Sequence, residues 1–109
     1  MATRRNYGAT VKNLKNTTEY CFYCGKKMSM RDRTIDHIVP ITHGGSNCID
    51  NLVICCRRCN GFKGGYTISE LIESLQKRYR FADEKTRKKL LEKMSKWQKI
   101  KESLKEKEN

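Results

Sequence analysis

The C-terminal part of the chain carries a helical hydrophobic period. Leu71, Ile72, Leu75 and Tyr79 recur at i, i+1, i+4 and i+8, one face of an α-helix. Thr67-Ile-Ser-Glu70 just before them fits a capping box, with Thr67 as N-cap and Tyr66 and Leu71 as a hydrophobic staple. Asp83 is placed to cap a second helix. Its stripe is Leu90, Leu91, Met94, Trp97, Ile100 and Leu104, so Trp97 is expected in a core or interface. Upstream the period changes. Thr34 to Pro40, T-I-D-H-I-V-P, is apolar and β-branched and reads as a buried strand with Asp36 and His37 side by side in its middle. Adjacent strand residues point to opposite faces, so one strand can offer a carboxylate to one side and an imidazole to the other. Residues 1–18 are polar and basic with no clear period and are expected to form an arm.

Composition sharpens this division. Residues 19–66 hold all six cysteines, both histidines and the only proline, whereas residues 67–109 hold none of these. A chain of 109 residues fits one small domain, with 1–18, 19–66 and 67–109 as its parts. With 37% apolar and 33% charged residues, such a domain usually needs a staple: disulfides, a metal or a partner chain. No apolar run is long enough to suggest a membrane span, and the basic start from Met1 lacks the apolar stretch of a secretory signal. A cytoplasmic, reducing compartment is therefore expected, where cysteine pairs read as metal ligands before disulfides. The net charge of +12 attracts polyanions, nucleic acid above all, although lysines on a helix also read as a solvated face.

Two Cys-x-x-Cys pairs stand out. Cys21-Phe-Tyr-Cys24-Gly-Lys is a metal-knuckle pattern, in which two thiolates bite one ion and the glycine permits a tight turn. Cys56-Arg-Arg-Cys59 is the second pair. Cys55 with Cys59 is an acceptable alternative bite, so Cys55 and Cys56 compete for one position. Four thiolates make a closed tetrahedral zinc site with no open position for water, so this zinc is structural. Cys56 is taken as the ligand, and Cys48 and Cys55 read as small buried hydrophobes. Two disulfides are the alternative and predict a protein without zinc. A zinc deaminase is excluded by the lack of a His-x-Glu partner to a Pro-Cys-x-x-Cys.

The full run D-H-I-V-P-I-T-H-G-G-S-N-C-I-D-N-L-V-I-C-C-R-R-C-N-G-F-K-G resembles the HNH endonuclease family. The resemblance rests on the Asp-His pair before Ile-Val-Pro, the Gly44-Gly45 pair, Asn51-Leu-Val, and Cys-x-x-Cys-Asn-x-x-Lys-Gly, and covers about residues 19–66. It implies an α+β fold: a small zinc-stapled ββα-metal core, here with two C-terminal helices. It also implies roles. His37 resembles the general base, Asp36 a ligand of a catalytic ion, and Asn51 the asparagine that orients the loop and the histidine. Asn60 stands where the second side-chain ligand falls. Lys63, with Arg57 and Arg58, would hold DNA phosphates. His43 reads as a loop residue.

The chemistry is consistent with those roles. Phosphodiester hydrolysis needs a nucleophile activated on one side of phosphorus and a leaving oxygen stabilised on the other. Few, hard oxygen ligands at Asp36 and Asn60 suit Mg2+ or Mn2+. The expected protein is a metal-dependent DNA endonuclease that nicks double-stranded DNA, with structural Zn2+ and catalytic Mg2+ or Mn2+; the sequence leaves its oligomeric state open, with a monomer as the default. By analogy within the family it looks phage-like, acting in the host cytoplasm, with a packaging terminase as a possible partner. The alternative is a non-catalytic zinc-containing nucleic-acid-binding module, which explains the charge and the cysteines but gives no reason for Asp36, His37 and Asn60.

Overall fold

The computed structural model describes residues 7–108. It is α+β, with α1 at Tyr7–Thr17, β1 at Arg33–His37, β2 at Leu52–Cys56, α2 at Arg57–Lys63, α3 at Ile68–Phe81 and α4 at Glu84–Glu108. Short 3-10 turns at Met30–Asp32, Ile41–His43 and Ile49–Asn51 punctuate the connections. Two compact units divide the chain at residues 67 and 68. No helix among the described residues is long and apolar enough to cross a membrane.

In the first unit, β1 and β2 pair antiparallel, with Asp36 opposite Val53 and His37 opposite Leu52. All of β2 is buried, as a run of Leu-Val-Ile-Cys-Cys demands. β1 is shorter than the apolar pattern Thr34–Pro40 suggests. It ends at His37 because the chain turns through Ile38, whose N–H donates to the Asn51 carbonyl, into the Pro40–Gly45 turn. The buried β1 side chain is the acid, Asp36.

The segment read as an arm is helical from Tyr7 onward, and residues 1–6 lie outside the described residues. Tyr7, Val11 and Leu14 give α1 a stripe too sparse to stand out in sequence, and none of its residues is fully buried. Its anchor is Arg33. The guanidinium donates through Nη1 to the Lys15 carbonyl (2.7 Å) and through Nη2 and Nε to the Met28 carbonyl. One β1 side chain thereby satisfies a carbonyl in the last turn of α1, a group that the helix itself leaves unpaired.

The second unit is the pair α3 and α4, which pack on each other. Helix α3 begins directly after Thr67, where the capping box places its N-cap. Asp83 caps α4 as expected: its Oδ1 accepts from the Thr86 N–H (2.8 Å), and hydrogen bonding from the Thr86 side chain, then from this N–H, holds its carboxyl below the usual carboxylate range. Leu71, Ile72, Leu75, Leu90 and Trp97 are buried. Leu91, assigned to the same stripe, is half exposed, because it lies about 100° around the helix from Leu90 and off the Leu90–Met94–Trp97 line. Leu75 is among the most completely buried side chains. Leu75→Ala is expected to destabilise this unit by about 2–5 kcal/mol, read from chemical denaturation followed by Trp97 fluorescence.

Candidate active site and metal centre

The Sγ atoms of Cys21, Cys24, Cys56 and Cys59 all lie within 4.8 Å of one another. Among the described residues no other group of three or more Cys, His or acidic side chains converges in this way. Local folding explains the gathering. Gly25, at φ 76°, returns the chain after the first pair, its N–H on the Cys21 carbonyl, while the Cys24 N–H points at Cys21 Sγ. The Phe22 N–H donates to the Ile54 carbonyl (3.0 Å) and ties this knuckle to β2. Cys56 ends β2 and caps α2, its Sγ accepting from the Cys59 N–H (3.4 Å). The Cys56 N–H in turn points at Cys21 Sγ (3.3 Å).

Burial pushes the Cys21 thiol up, but backbone N–H groups of Cys24, Cys56 and Tyr23 outweigh it and bring it down to about 7. Burial raises Cys24 and Cys59. Four sulfurs with directed N–H groups are the donor set of a closed zinc site, and this cluster fits that ion. Of the two neighbours, it is Cys56 whose sulfur lies in the cluster. Cys55 is fully buried and faces Thr34, whose Oγ1 lies 3.5 Å from its Sγ, and burial pushes its thiol up to about 12, the behaviour of an inert core cysteine. Cys48, expected in the core, is half-buried in the loop before β2.

Asp36 and His37 leave β1 on opposite sides. Asp36, 7% exposed, turns inward, where Oδ2 accepts from the Tyr23 hydroxyl and pairs with Lys63 Nζ at 3.0 Å. Burial, then the Asp36 charge, push the Tyr23 hydroxyl far up, so it stays protonated and donates. Asn60 sits on α2 against the same strand, its Nδ2 donating to Thr34 Oγ1 (3.0 Å) and to the Ile35 carbonyl (3.4 Å). With nitrogen committed, its oxygen is the atom left to act as a ligand. A carboxylate and an amide oxygen are hard donors of the kind that Mg2+ or Mn2+ would take.

Lys63 is placed differently from the phosphate-holding role the sequence suggests. It is 0% exposed, and Nζ is spent on Asp36 and on the His37 carbonyl (3.0 Å). A side chain so enclosed acts as the internal counter-ion of Asp36. Arg58 is exposed on α2. Arg57 is exposed too, but its Nε donates to the Arg31 carbonyl (2.8 Å) and its N–H to Asp32 Oδ1 (3.0 Å).

The imidazole of His37 faces the loop between the strands. Nε2 lies 2.7 Å from Asn47 Oδ1, and the ring stacks on Tyr7 with centroids 6.2 Å apart at 16°. Asn51 clamps the loop. Its Oδ1 accepts from the Val39 N–H (2.9 Å), and its Nδ2 donates to the carbonyls of Val39 (3.0 Å) and Ser46 (2.8 Å). These bonds tie the loop together, while the side chain that touches the imidazole is Asn47. Sequence reasoning passed over Asn47 and Tyr7. The signal for Asn47 is its place just after Gly44-Gly45-Ser46; Tyr7 lay in a stretch without period. His43 is exposed at the loop turn, its Nδ1 near its neighbour Thr42.

The family model for HNH endonucleases matches residues 21–76. A curated relative, the CRISPR-associated endonuclease Cas9 of Corynebacterium diphtheriae, is 44% identical over 45 residues, which cover 40% of this chain and 4% of that protein. The crystal structure of the Type II-C Cas9 enzyme from Actinomyces naeslundii aligns with a TM-score of 0.43 and 21% identity, covering 89% of this chain and 13% of that one. The chain therefore spans a small fraction of the length of both.

Cys56→Ala is expected to abolish stoichiometric zinc by elemental analysis, whereas Cys55→Ala retains it. Lys63→Met strands a buried carboxylate and is expected to cost about 3–5 kcal/mol in denaturant unfolding; a phosphate-binding surface lysine would instead leave stability within about 0.5 kcal/mol.

Proposed function

The chain belongs to the HNH endonuclease family, and from that premise we propose that it is a metal-dependent nuclease that hydrolyses phosphodiester bonds in DNA, with His37 as the general base. The observation that carries this reading is the split at β1, against which Asn60 packs: a carboxylate to one face, and an imidazole to the other, held but not buried.

In this reading the His37 imidazole takes a proton from water, and the water attacks phosphorus in line. The oxygens of Asp36 and Asn60 would hold a divalent ion, which would supply Lewis-acid stabilisation of the leaving oxygen. The expected ends are 5′-phosphate and 3′-hydroxyl. Tyr23 and Lys63 keep Asp36 oriented, and Lys63 also fixes the His37 main chain. Lys63 already offsets the Asp36 charge, so a divalent ion there would gain less from the protein than from a bare carboxylate. Arg58 is the better placed of the two arginines to meet phosphate, and the net charge of +12 supports sequence-independent attraction to DNA that weakens with salt. One active site cuts one strand, so a monomer nicks.

Relaxation of supercoiled plasmid in Mg2+ or Mn2+ tests the reading. His37→Ala is expected to slow nicking by about 100–10,000-fold while DNA binding by gel shift persists. Nicking at the wild-type rate by His37→Ala would favour a non-catalytic zinc-containing nucleic-acid-binding module, and activity in Zn2+ alone with Mg2+ inert would overturn Asp36 and Asn60 as the ligand pair.

A further inference from the structure

The position of the loop between β1 and β2 over His37 goes beyond the assignment of that histidine as a base. We propose that Asn47 is a positioning residue that fixes the His37 tautomer, so that Nδ1 is the nitrogen that accepts the proton from water. This rests on the reading of His37 as the general base.

Asn47 Oδ1 lies 2.7 Å from His37 Nε2. An amide oxygen only accepts, so Nε2 carries the hydrogen and Nδ1 keeps its lone pair. The other degrees of freedom of the residue are already restrained: Lys63 Nζ donates to the His37 carbonyl, and Tyr7 stacks on the ring face. Asn47 supplies the missing restraint, on the ring edge.

The loop is built to hold Asn47 there. Gly44 adopts φ 85°, which L side chains rarely take. At Gly45 a Cβ would stand 1.8 Å from the Val39 carbonyl oxygen, so the backbone approaches too closely for any side chain. That approach lets the Gly45 N–H reach the Pro40 carbonyl (3.0 Å) and turns the chain back toward β1. Asn51 then holds the Ser46 carbonyl next to Asn47. The glycine pair and Asn51 thus act on His37 through Asn47, and the chain departs from a plan in which Asn51 touches the imidazole.

The test uses the full chain, zinc-loaded and 15N-labelled, under conditions where imidazole is neutral. Long-range 1H–15N correlation reads both ring nitrogens, and His43→Gln, in an exposed loop position, assigns His37 among the two histidines. Nε2 is expected to be protonated and Nδ1 bare; a proton on Nδ1, meaning that the Asn47 amide nitrogen donates instead, overturns the proposal. In plasmid nicking, Asn47→Ala is expected to lower kcat about 10–100-fold, the usual loss when a residue that orients a reactive side chain is removed, with little change in KM. Asn47→Asp keeps an acceptor and is expected to restore most of that loss. Wild-type kcat in Asn47→Ala overturns the role of Asn47 alone, provided His37→Ala is inactive. Wild-type nicking by His37→Ala removes the general-base reading itself.

Discussion

Four sulfurs drawn from both ends of the 21–59 stretch constrain everything else in the first unit. Thirty-one residues separate Cys24 from Cys56, and closing a loop of that length costs entropy that a small core repays poorly. A metal bound by thiolates repays it, because metal binding in such a site is folding free energy. Cys56 transmits the constraint. It ends β2, caps α2 and lies in the sulfur cluster. Asn60 and Lys63 follow it at i+4 and i+7 and so share its face of the helix. Fixing Cys56 therefore fixes where the amide and the ammonium meet β1.

The Asp36–Lys63 pair is the second consequence. A carboxylate 7% exposed and an ammonium fully enclosed are expensive to desolvate, and they persist because each is also hydrogen-bonded, to Tyr23 and to the His37 carbonyl. The pair contributes less to net stability than to order: it sets the direction of a carboxylate and the backbone position of the adjacent histidine at once. On the other face of β1 the restraint comes from a surface loop, where Gly45 and Asn51 do with close approach and backbone hydrogen bonds what burial does on the inner face.

The helical hairpin was legible because it is periodic, and the strand because its residues are apolar and β-branched. Leu75, Leu90 and Trp97 lie on the expected stripes, and Asp83 caps where its chemistry directs. Helix α1 was not legible, because its anchor is a single arginine eighteen residues further along the chain. The choice between Cys55 and Cys56 was also hidden. Both fit the spacing, and only the pairing of β1 with β2, which turns Cys55 toward Thr34, separates them.

The sequence by itself determined the chemistry present: two thiolate pairs, an acid beside a histidine on a strand, an amide after the second knuckle, and an excess of positive charge. Residue type and short-range spacing carry that information, because ligand bite, strand alternation and helix period are all local. Only the tertiary structure decided which long-range neighbour each group meets. It turned Lys63 from a surface cation into the counter-ion of Asp36, and it set Asn47 rather than Asn51 against the His37 ring. Such partners lie 10 to 27 residues apart, where no periodicity connects them and only the closed fold brings them within a hydrogen bond.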